Sequence, residues 1–219
     1  MLPRTLPYQA VIFDMDGTLV NSEDIAHQVL SDHLAEYQYP IDAETSCQRF
    51  AGRNITECLA EVSDEMVTPL PGDFEDQFRQ RCASAFEADL RAFEGVHKLL
   101  QDIQASVAIA SNGPRHKIEL NLKISDLQQY FGNNIFSAYE ISCWKPDPGL
   151  FLAAAQGLGC KPSDCLVVED TLHGFNAARA ANMDVVIFNP DPSKAPMPES
   201  TTTFQHYDQL SNFLRSINT

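Results

Sequence analysis

The chain has 219 residues, of which 44% are hydrophobic and 21% charged, ordinary values for a globular chain that buries a core of its own. Acidic residues outnumber Lys and Arg by 30 to 15, so the formal net charge is −15. Such a balance argues against nucleic acid or an anionic membrane surface as a partner, since both reward clustered Lys and Arg, and it also disfavours an anionic small substrate.

Four short apolar runs, each followed by a polar cluster, predict buried strands. They cover residues 9–13, 106–110, 165–168 and 185–188, with a weaker fifth run over 135–138. Helical patterns over residues 115–123, 149–157, 171–181 and 207–215 lie between or after them. This alternation predicts an α/β fold with a doubly wound parallel sheet, which binds ligands outside the carboxyl ends of its strands.

The ends of these predicted helices carry recognisable signals. Pro114 and Pro148 suit the first helical position of the helices that follow them, and Asp147 suits the cap before Pro148. Asn182 follows the third helix and tolerates the left-handed conformation there. The proline-rich stretch 190–198 is expected to be a surface loop.

Residues 21–92 follow a different pattern. They show helical spacing over 23–36, 54–62 and 73–90 and no convincing strand run. They also hold 15 acidic residues and five Arg but no Lys, a composition that differs from the rest of the chain. We therefore predict a helical domain over 21–92, inserted into an α/β core made of residues 1–20 and 93–219.

Two pairs of acidic residues follow predicted strands. Asp14 and Asp16 end the first strand, and Glu169 and Asp170 end the third. Parallel strands bring their carboxyl ends to one edge of the sheet, so these carboxylates are expected to converge. A solvated Asp-Gly turn is the alternative for the first pair. Converging carboxylates without a cation would be costly to desolvate, and oxygen-only ligands of this kind favour Mg²⁺.

Four short motifs follow one another at the predicted strand ends: Asp14-Met15-Asp16-Gly17-Thr18, Ser111-Asn112-Gly113, Lys145-Pro146-Asp147-Pro148, and Glu169-Asp170-Thr171 with Gly174. In this order they resemble the haloacid dehalogenase-like hydrolase superfamily, over almost the whole length of the chain. The first motif is highly specific, while the others are individually weak. The helical insert resembles the α-helical cap of β-phosphoglucomutase-like members.

The resemblance implies a phosphoric monoester hydrolase and gives its residues their roles. Asp14 would attack phosphorus in line and form an aspartyl-phosphate. Asp16 would protonate the leaving alcohol and then activate water. Lys145 and Ser111 would hold the phosphoryl oxygens, a positioning and charge-stabilising task that dominates phosphoryl transfer.

A Mg²⁺ site is also implied by the resemblance. Asp14 and Asp170 would bind the metal, the backbone carbonyl of Asp16 would join them, and Glu169 would bind it directly or support a residue that does. The substrate would be a small phosphorylated metabolite.

Four further residues are expected to contact this substrate. Asn112 and Gly113 would bind phosphate through backbone amides. Arg53, next to Gly52 in the loop Phe50-Ala51-Gly52-Arg53-Asn54, is the candidate for contact with the substrate body. The alternative for Arg53 is that it caps or solvates the start of a helix.

Comparison among branches of the superfamily favours a phosphatase. Asp16 argues against a dehalogenase, which needs no acid for an alkoxide, and the lysine-free insert argues against a phosphonate hydrolase that forms a Schiff base. A β-phosphoglucomutase would carry His and Arg where this chain has Ala26 and Ile55, with His27 and Arg53 displaced from those places. A phosphomutase and a non-catalytic binding protein remain as alternatives.

The residues around the second and third motifs suggest the substrate. Ser111-Asn112-Gly113-Pro114, with Ser137-Ala138-Tyr139-Glu140-Ile141 before Trp144, resembles bacterial 6-phosphogluconate phosphatases. A sugar phosphate or sugar-acid phosphate such as 6-phosphogluconate is therefore the leading candidate.

Cellular context and assembly are predicted from absent signals in the sequence. The N-terminal segment has neither a secretion signal nor an apolar span, because its short apolar run stops at Asp14. The six cysteines form no C-x-x-C pair and no zinc spacing, which favours reduced, mostly buried thiols. We expect a cytoplasmic protein. We also expect a monomer, because the sequence shows no exposed apolar stripe that would pack against a partner.

Overall fold

A computed structural model describes residues 8–191, 198 and 201–216. Its centre is a sheet of six parallel strands in the order β3-β2-β1-β4-β5-β6. The strands are β1 Ala10–Phe13, β2 Ser106–Ser111, β3 Ile135–Ser137, β4 Cys165–Glu169, β5 Asp184–Phe188 and β6 Thr203–Phe204. The predicted doubly wound parallel sheet is confirmed.

Helices connect most of the strands, and α11 follows the last one. They are α1 Ser22–Glu36, α2 Ala43–Phe50, α3 Ile55–Glu65, α4 Phe74–Asp89, α5 Val96–Asp102, α6 Arg115–Ile124, α7 Gln128–Phe131, α8 Ala138–Ile141, α9 Gly149–Gly157, α10 Leu172–Ala180 and α11 Tyr207–Ser216. A 3₁₀ turn over Pro162–Asp164 precedes β4. Among the described residues, no helix is both long and apolar enough to cross a bilayer.

The order of the strands places the ends of β1, β2 and β4 side by side. Phe13 of β1 is in register with Ile109 of β2 and with Val168 of β4. β1 lies between β2 and β4, and the helices that follow these two strands pack on opposite faces of the sheet. A crevice for a ligand forms at such a topological switch point. Residues that follow Phe13 and Val168 therefore meet at the centre of the carboxyl edge.

The two faces of the sheet bury separate apolar clusters, because successive side chains of a strand point to opposite faces. Val11 and Phe13 pack in one cluster with the α1–α4, α5–α7 and α11 side chains. Ala10 and Ile12 pack in the other with α9 and α10. The side chains of β1 are completely buried on both faces, which explains its unbroken apolar sequence.

Helices α1–α4 form a helical insertion between β1 and α5. The two chain segments that enter and leave it run side by side, since Val20 bridges Ala92 in antiparallel fashion. Asn21 Oδ1 also accepts a hydrogen bond of 2.7 Å from the backbone N–H of Arg91. Paired segments of this kind hold the insertion above the carboxyl edge of the sheet.

Several elements differ from the sequence-based expectations. The sequence pattern missed α2, α5, α7 and β6, and Ala138 begins α8 instead of ending a strand. Pro114 and Pro148 each precede their helix by one residue, and Asp147 Oδ1 accepts from the backbone N–H of Gly149 at 2.7 Å. Asn182 does adopt the left-handed conformation, with φ 58°. Most of the loop expected over 190–198 lies outside the described residues.

Candidate active site

Asp14 lies at the floor of the candidate site, directly after β1. Its carboxylate is buried, and the Lys145 ammonium donates a hydrogen bond to Oδ1. The same ammonium donates to Oε1 of Glu169 at 2.6 Å, so one lysine joins the ends of β1 and β4. Burial raises the pKa of Asp14 to about 8; Lys145 opposes the rise, and Glu169 and Asp16 add to it. The site therefore needs more positive charge than Lys145 alone supplies.

Glu169 is held by the start of α10. Its Oε2 accepts hydrogen bonds from the backbone N–H groups of Asp170 and Thr171, both at 2.8 Å, and from the Thr171 hydroxyl at 2.9 Å. A Cβ at Gly174 would lie 1.8 Å from Glu169 Cδ, so α10 can approach only because this residue has no side chain. Glu169 is thus fixed on one oxygen by α10 and on the other by Lys145.

Lys145 remains charged despite its burial. Burial lowers the pKa of Lys145, but Asp14 and Glu169 outweigh it and hold the pKa above its usual range. An ammonium held between Asp14 and Glu169 is suited to bind oxygens of a phosphate that enters beside Asp14.

Asp170 completes an acidic group at the same edge. One oxygen each of Asp14, Glu169 and Asp170 lie within 4.8 Å of one another. Burial raises the pKa of Asp170 well above its usual range, and the charges of Glu169 and Asp14 add to the rise. Thr18 donates a hydrogen bond of 3.0 Å to Asp170 Oδ1, and a Cβ at Gly17 would lie 2.2 Å from Oδ2.

This donor set suits a hard divalent cation. Buried carboxylates so close together repel one another unless a cation lies between them, and Mg²⁺ prefers oxygen ligands. Asp14 and Asp170 are the best placed to hold it, because both Glu169 oxygens already accept hydrogen bonds. The family resemblance predicts these three residues together with the backbone carbonyl of Asp16.

Asp16 is held separately, on the side of the site nearest the helical insertion. Lys117 Nζ donates to Oδ2 at 2.8 Å, and Oδ1 accepts from the hydroxyl of Ser22 at 2.5 Å and from Asn121 Nδ2 at 3.2 Å. Burial lowers the pKa of Lys117, but Asp16 and Glu23 outweigh it and leave the pKa raised. The carboxylate of Asp16 thus has a fixed orientation and a charged neighbour.

The loop after β2 contacts both other parts of the site. Ser111 is buried, and its Oγ accepts from the backbone N–H of Gly113 at 3.0 Å. Asn112 Oδ1 accepts from the backbone N–H of Lys145 at 2.9 Å, while Asn112 Nδ2 donates to the carbonyl of Gly52 at 3.3 Å. Asn112 therefore ties the Lys145 loop to the helical insertion.

Arg53 lies in the predicted loop of the insertion, and its guanidinium is hydrogen-bonded within the insertion. Its Nη2 donates to Glu61 at 2.8 Å and its Nη1 to the carbonyl of Arg49 at 3.3 Å. Gly52 beside it has φ 71°, and a Cβ there would lie 3.2 Å from Thr171 Cγ2. The glycine lets this loop approach the start of α10 closely.

A cavity of about 200 Å³ lies between the core and the helical insertion. Asp14 and Asp16 lie on its core side, and its opposite wall is largely apolar, with Phe50, Phe78 and Phe86. The predicted site residues that line it are Asp14, Asp16, Gly52, Arg53, Ser111, Asn112, Gly113, Lys145 and Glu169. The structure thus brings these nine residues to one cavity, and Asp170 lies beside Asp14 and Glu169.

Arg79, which lines the cavity, joins the insertion to the core. This residue of α4 donates from Nη2 to the Tyr139 hydroxyl of α8 at 3.1 Å, and its guanidinium lies 6.0 Å from the centroid of that ring. Glu75 accepts from Nε and Nη2 of Arg79 at 3.0 and 2.6 Å. The insertion is therefore in contact with the core on this side as well.

Sequence reasoning missed the residues that hold Asp16. Lys117 and Asn121 are four residues apart on one predicted helix, so they share a face, and this helix follows a motif loop. That spacing was the available signal. Ser22 offered none, since a serine one residue into a predicted insertion is unremarkable.

Comparison with known proteins identifies the family of the chain. The model of the haloacid dehalogenase-like hydrolase family matches residues 8–182. A 6-phosphogluconate phosphatase of Escherichia coli (strain K12) is 35% identical over 204 residues, which cover 92% of each chain. The chain belongs to the haloacid dehalogenase-like hydrolases, and the expectation of a phosphoric monoester hydrolase is confirmed.

Two solved structures share the whole architecture. A haloacid dehalogenase-like protein of unknown function from Agrobacterium tumefaciens has a TM-score of 0.84 and 32% identity, covering 97% of this chain and 100% of the other. A HAD family hydrolase from Deinococcus radiodurans R1, solved with phosphate and sodium bound, has a TM-score of 0.77 and 29% identity, with 97% of each chain covered. Both likenesses span the core and the helical insertion.

Proposed function

We propose that this protein is a Mg²⁺-dependent phosphatase that hydrolyses a sugar phosphate or a sugar-acid phosphate through an aspartyl-phosphate on Asp14. The observation that carries the proposal is the buried Asp14 carboxylate, hydrogen-bonded by Lys145 and sharing one cavity with Asp16. Two findings on similar proteins support it: one relative is a 6-phosphogluconate phosphatase, and one solved structure holds phosphate and a cation.

In the first step, Asp14 attacks phosphorus. Lys145 is hydrogen-bonded to Oδ1, and a carboxylate oxygen of Asp14 forms the new bond to phosphorus. The bond from phosphorus to the leaving oxygen breaks, and protonated Asp16 gives its proton to that oxygen. The free alcohol then leaves through the cavity.

In the second step, water replaces the protein at phosphorus. Asp16, now a carboxylate, takes a proton from water as the water oxygen bonds to phosphorus. The bond from phosphorus to Asp14 breaks, which releases inorganic phosphate and restores the Asp14 carboxylate. Ser22, Lys117 and Asn121 keep Asp16 in one orientation through both steps.

The remaining residues bind and orient the phosphate. Lys145 and Ser111 contact its oxygens, and the backbone amides near Asn112 add uncharged donors. Asp14 and Asp170, with the backbone carbonyl of Asp16, would hold Mg²⁺, and Glu169 fixes Lys145 beside them. When bound, Mg²⁺ supplies positive charge that neutralises the carboxylates and the phosphoryl oxygens.

A phosphatase fits this cavity better than a phosphomutase does. Ala26 and Ile55, at the places where a β-phosphoglucomutase would carry His and Arg, both line the cavity with apolar side chains. The neighbouring His27 is engaged with Ser46 at 2.9 Å and with Glu23 at 3.1 Å. No described residue thus replaces the missing pair at those two positions.

Release of inorganic phosphate tests the proposal. Wild type and Asp14→Asn are assayed on phosphosugars, sugar-acid phosphates and nucleotides, with Mg²⁺ or with EDTA. We expect turnover of sugar or sugar-acid phosphates with Mg²⁺, its loss in EDTA, and a fall of roughly 10³-fold or more in Asp14→Asn, because the nucleophile is lost.

The exposed Asp89, at the end of α4, provides a matched control, and Asp89→Asn should behave as wild type. Undiminished phosphate release by Asp14→Asn, or by the wild type in EDTA, would refute the mechanism. Conversion of a sugar phosphate into its isomer, dependent on a bisphosphorylated activator, would instead identify a mutase.

A further inference from the structure

Two lysines line the cavity, and the proposed mechanism uses only one of them to bind phosphate. Lys145 lies on the side of the nucleophile, between Asp14 and Glu169. Lys117 lies on the other side, with Nζ 2.8 Å from Asp16 Oδ2. Since Asp16 is the group that meets the leaving oxygen, the Lys117 ammonium lies next to the space that the leaving alcohol occupies.

Lys117 reaches this place from α6 along the boundary between core and insertion. A Cβ at Gly113 would lie 3.6 Å from Lys117 Cδ, so the side chain runs past the bare glycine. Its Nζ lies 5.8 Å from the centroid of the Phe86 ring in the opposite wall. The side chain is 25% exposed and lines the cavity.

The arginines at the cavity are already engaged with acids of the helical insertion. Arg79 makes two hydrogen bonds to Glu75, and Arg53 one to Glu61. Lys117 differs, because its hydrogen-bonded carboxylate is Asp16, the proposed acid and base. Glu23 is the second acid that faces Lys117, and Glu23 also contacts His27 at 3.1 Å.

We infer that Lys117 is a specificity-determining residue, which binds an acidic group on the leaving alcohol and so favours sugar-acid phosphates over neutral sugar phosphates. This inference rests on the proposed phosphatase function. A charge-assisted hydrogen bond is about twice as strong as a neutral one. Its strength grows beside the aromatic wall formed by Phe50, Phe78 and Phe86, where the local dielectric is low.

A pair of substrates that differ in one group isolates this contact. 6-Phosphogluconate and glucitol 6-phosphate share a chain and a phosphate, but the first ends in a carboxylate and the second in a CH₂OH group. Wild type, Lys117→Gln and Lys117→Arg are compared on both esters. Gln can still donate to Asp16 but carries no charge, whereas Arg keeps the charge.

We expect Lys117→Gln to reduce the preference for the acidic ester, measured as the ratio of the two kcat/KM values, by about tenfold or more. Because Lys117 also orients Asp16, Lys117→Gln is expected to lower kcat on both esters alike. The loss of specificity is the additional rise in KM for the acidic ester, and Lys117→Arg should restore much of the ratio. The exposed Lys123 of the same helix provides the control, and Lys123→Gln should keep the wild-type ratio.

The outcomes distinguish a failure of the role given to Lys117 from a failure of the proposed phosphatase function. If Lys117→Gln slows both esters by the same factor, Lys117 only positions Asp16, and the assignment of specificity is overturned. If the wild type releases phosphate from neither ester nor from other sugar phosphates, the proposed function fails, and this inference fails with it. A folded state is verified for each variant by its thermal unfolding curve.

Discussion

At the scale of single residues, the proposed phosphate site depends on the close approach of helix α10 to Glu169. Glu169 fixes Lys145, and α10 can hold Glu169 only because Gly174 has no Cβ. Gly174 belongs to the fourth sequence motif, but the sequence does not show that it faces the Glu169 carboxyl, since a glycine in a helix most often reflects packing or costs stability. Its effect on the chemistry would be indirect, through the position of Lys145.

Gly174→Ala is therefore expected to disturb the site more than it disturbs helix α10. The new Cβ would overlap the Glu169 carboxyl, so Glu169 must move and Lys145 with it. We predict a loss of about 1–3 kcal/mol in the free energy of unfolding, the usual cost of overpacking, and a fall of about 10²-fold in kcat from the misplaced lysine.

Thermal unfolding and phosphate release measure the two effects of Gly174→Ala. Gly72 offers the control, because a Cβ there meets no atom within 4 Å and Gly72→Ala should leave kcat unchanged. A Gly174→Ala protein with wild-type kcat would show that the position of Glu169 does not matter to turnover.

Residues with a distinctive motif were predictable at this scale, and residues without one were not. Asp14 and Asp170 follow predicted strands, so topology alone brings them together. Lys117 and Ser22 reach Asp16 from two different helices, and their meeting depends on how the insertion packs on the core. A single sequence does not encode that packing in any local pattern.

At the scale of helices and strands, an element could be predicted from the sequence when its apolar residues had a regular spacing. Strands with unbroken apolar runs and helices such as α4, which buries Phe74, Phe78, Cys82 and Phe86, were found. In α2 only Ser46 and Phe50 are buried, and β6 has two residues, so neither has enough of a period to detect. Tertiary contacts, and not propensity, stabilise such elements.

The packing of α1 on α4 leads to a prediction on pH. His33 of α1 is completely buried and stacks on Phe74 of α4, with ring centroids 4.0 Å apart. Burial lowers the pKa of His33, and Arg81 adds to the effect. The unfolded chain therefore binds a proton more readily than the folded one, and stability is lost as the pH falls below the ordinary histidine value.

Replacement of His33 by Phe should remove this loss. The melting temperature of His33→Phe minus that of wild type should be larger at pH 5 than at pH 7.5. We expect this difference to grow by roughly 2 °C or more between the two pH values. The exposed His206, changed to Phe in the same way, is the control and should show no such difference between the two pH values. A margin for His33→Phe that does not depend on pH would contradict the stated cause.

At the scale of the whole molecule, the net charge of −15 has two origins. Residues 21–92 contain 15 acidic residues against five arginines, and several of these acids pair with arginines on the surface of the helical insertion, as Glu36 does with Arg81. Asp14, Asp16, Glu169 and Asp170 contribute at the site, where Lys145, Lys117 and a divalent cation would offset them. An acidic protein can thus accept an anionic substrate.

The central claim is that a covalent aspartyl-phosphate forms on Asp14, and its direct capture is the sharpest test. Asp16→Asn is mixed with Mg²⁺ and p-nitrophenyl phosphate, whose leaving group needs no proton. The first step should then proceed while the second, which needs the base, is slow. Intact-mass measurement should show one added phosphoryl group, which peptide mapping places on Asp14.

The double variant Asp14→Asn, Asp16→Asn should gain no mass under the same conditions. We predict the adduct in Asp16→Asn and its absence in the double variant. Release of p-nitrophenol by Asp16→Asn without any added mass, or a phosphoryl group on a residue other than Asp14, would contradict the account.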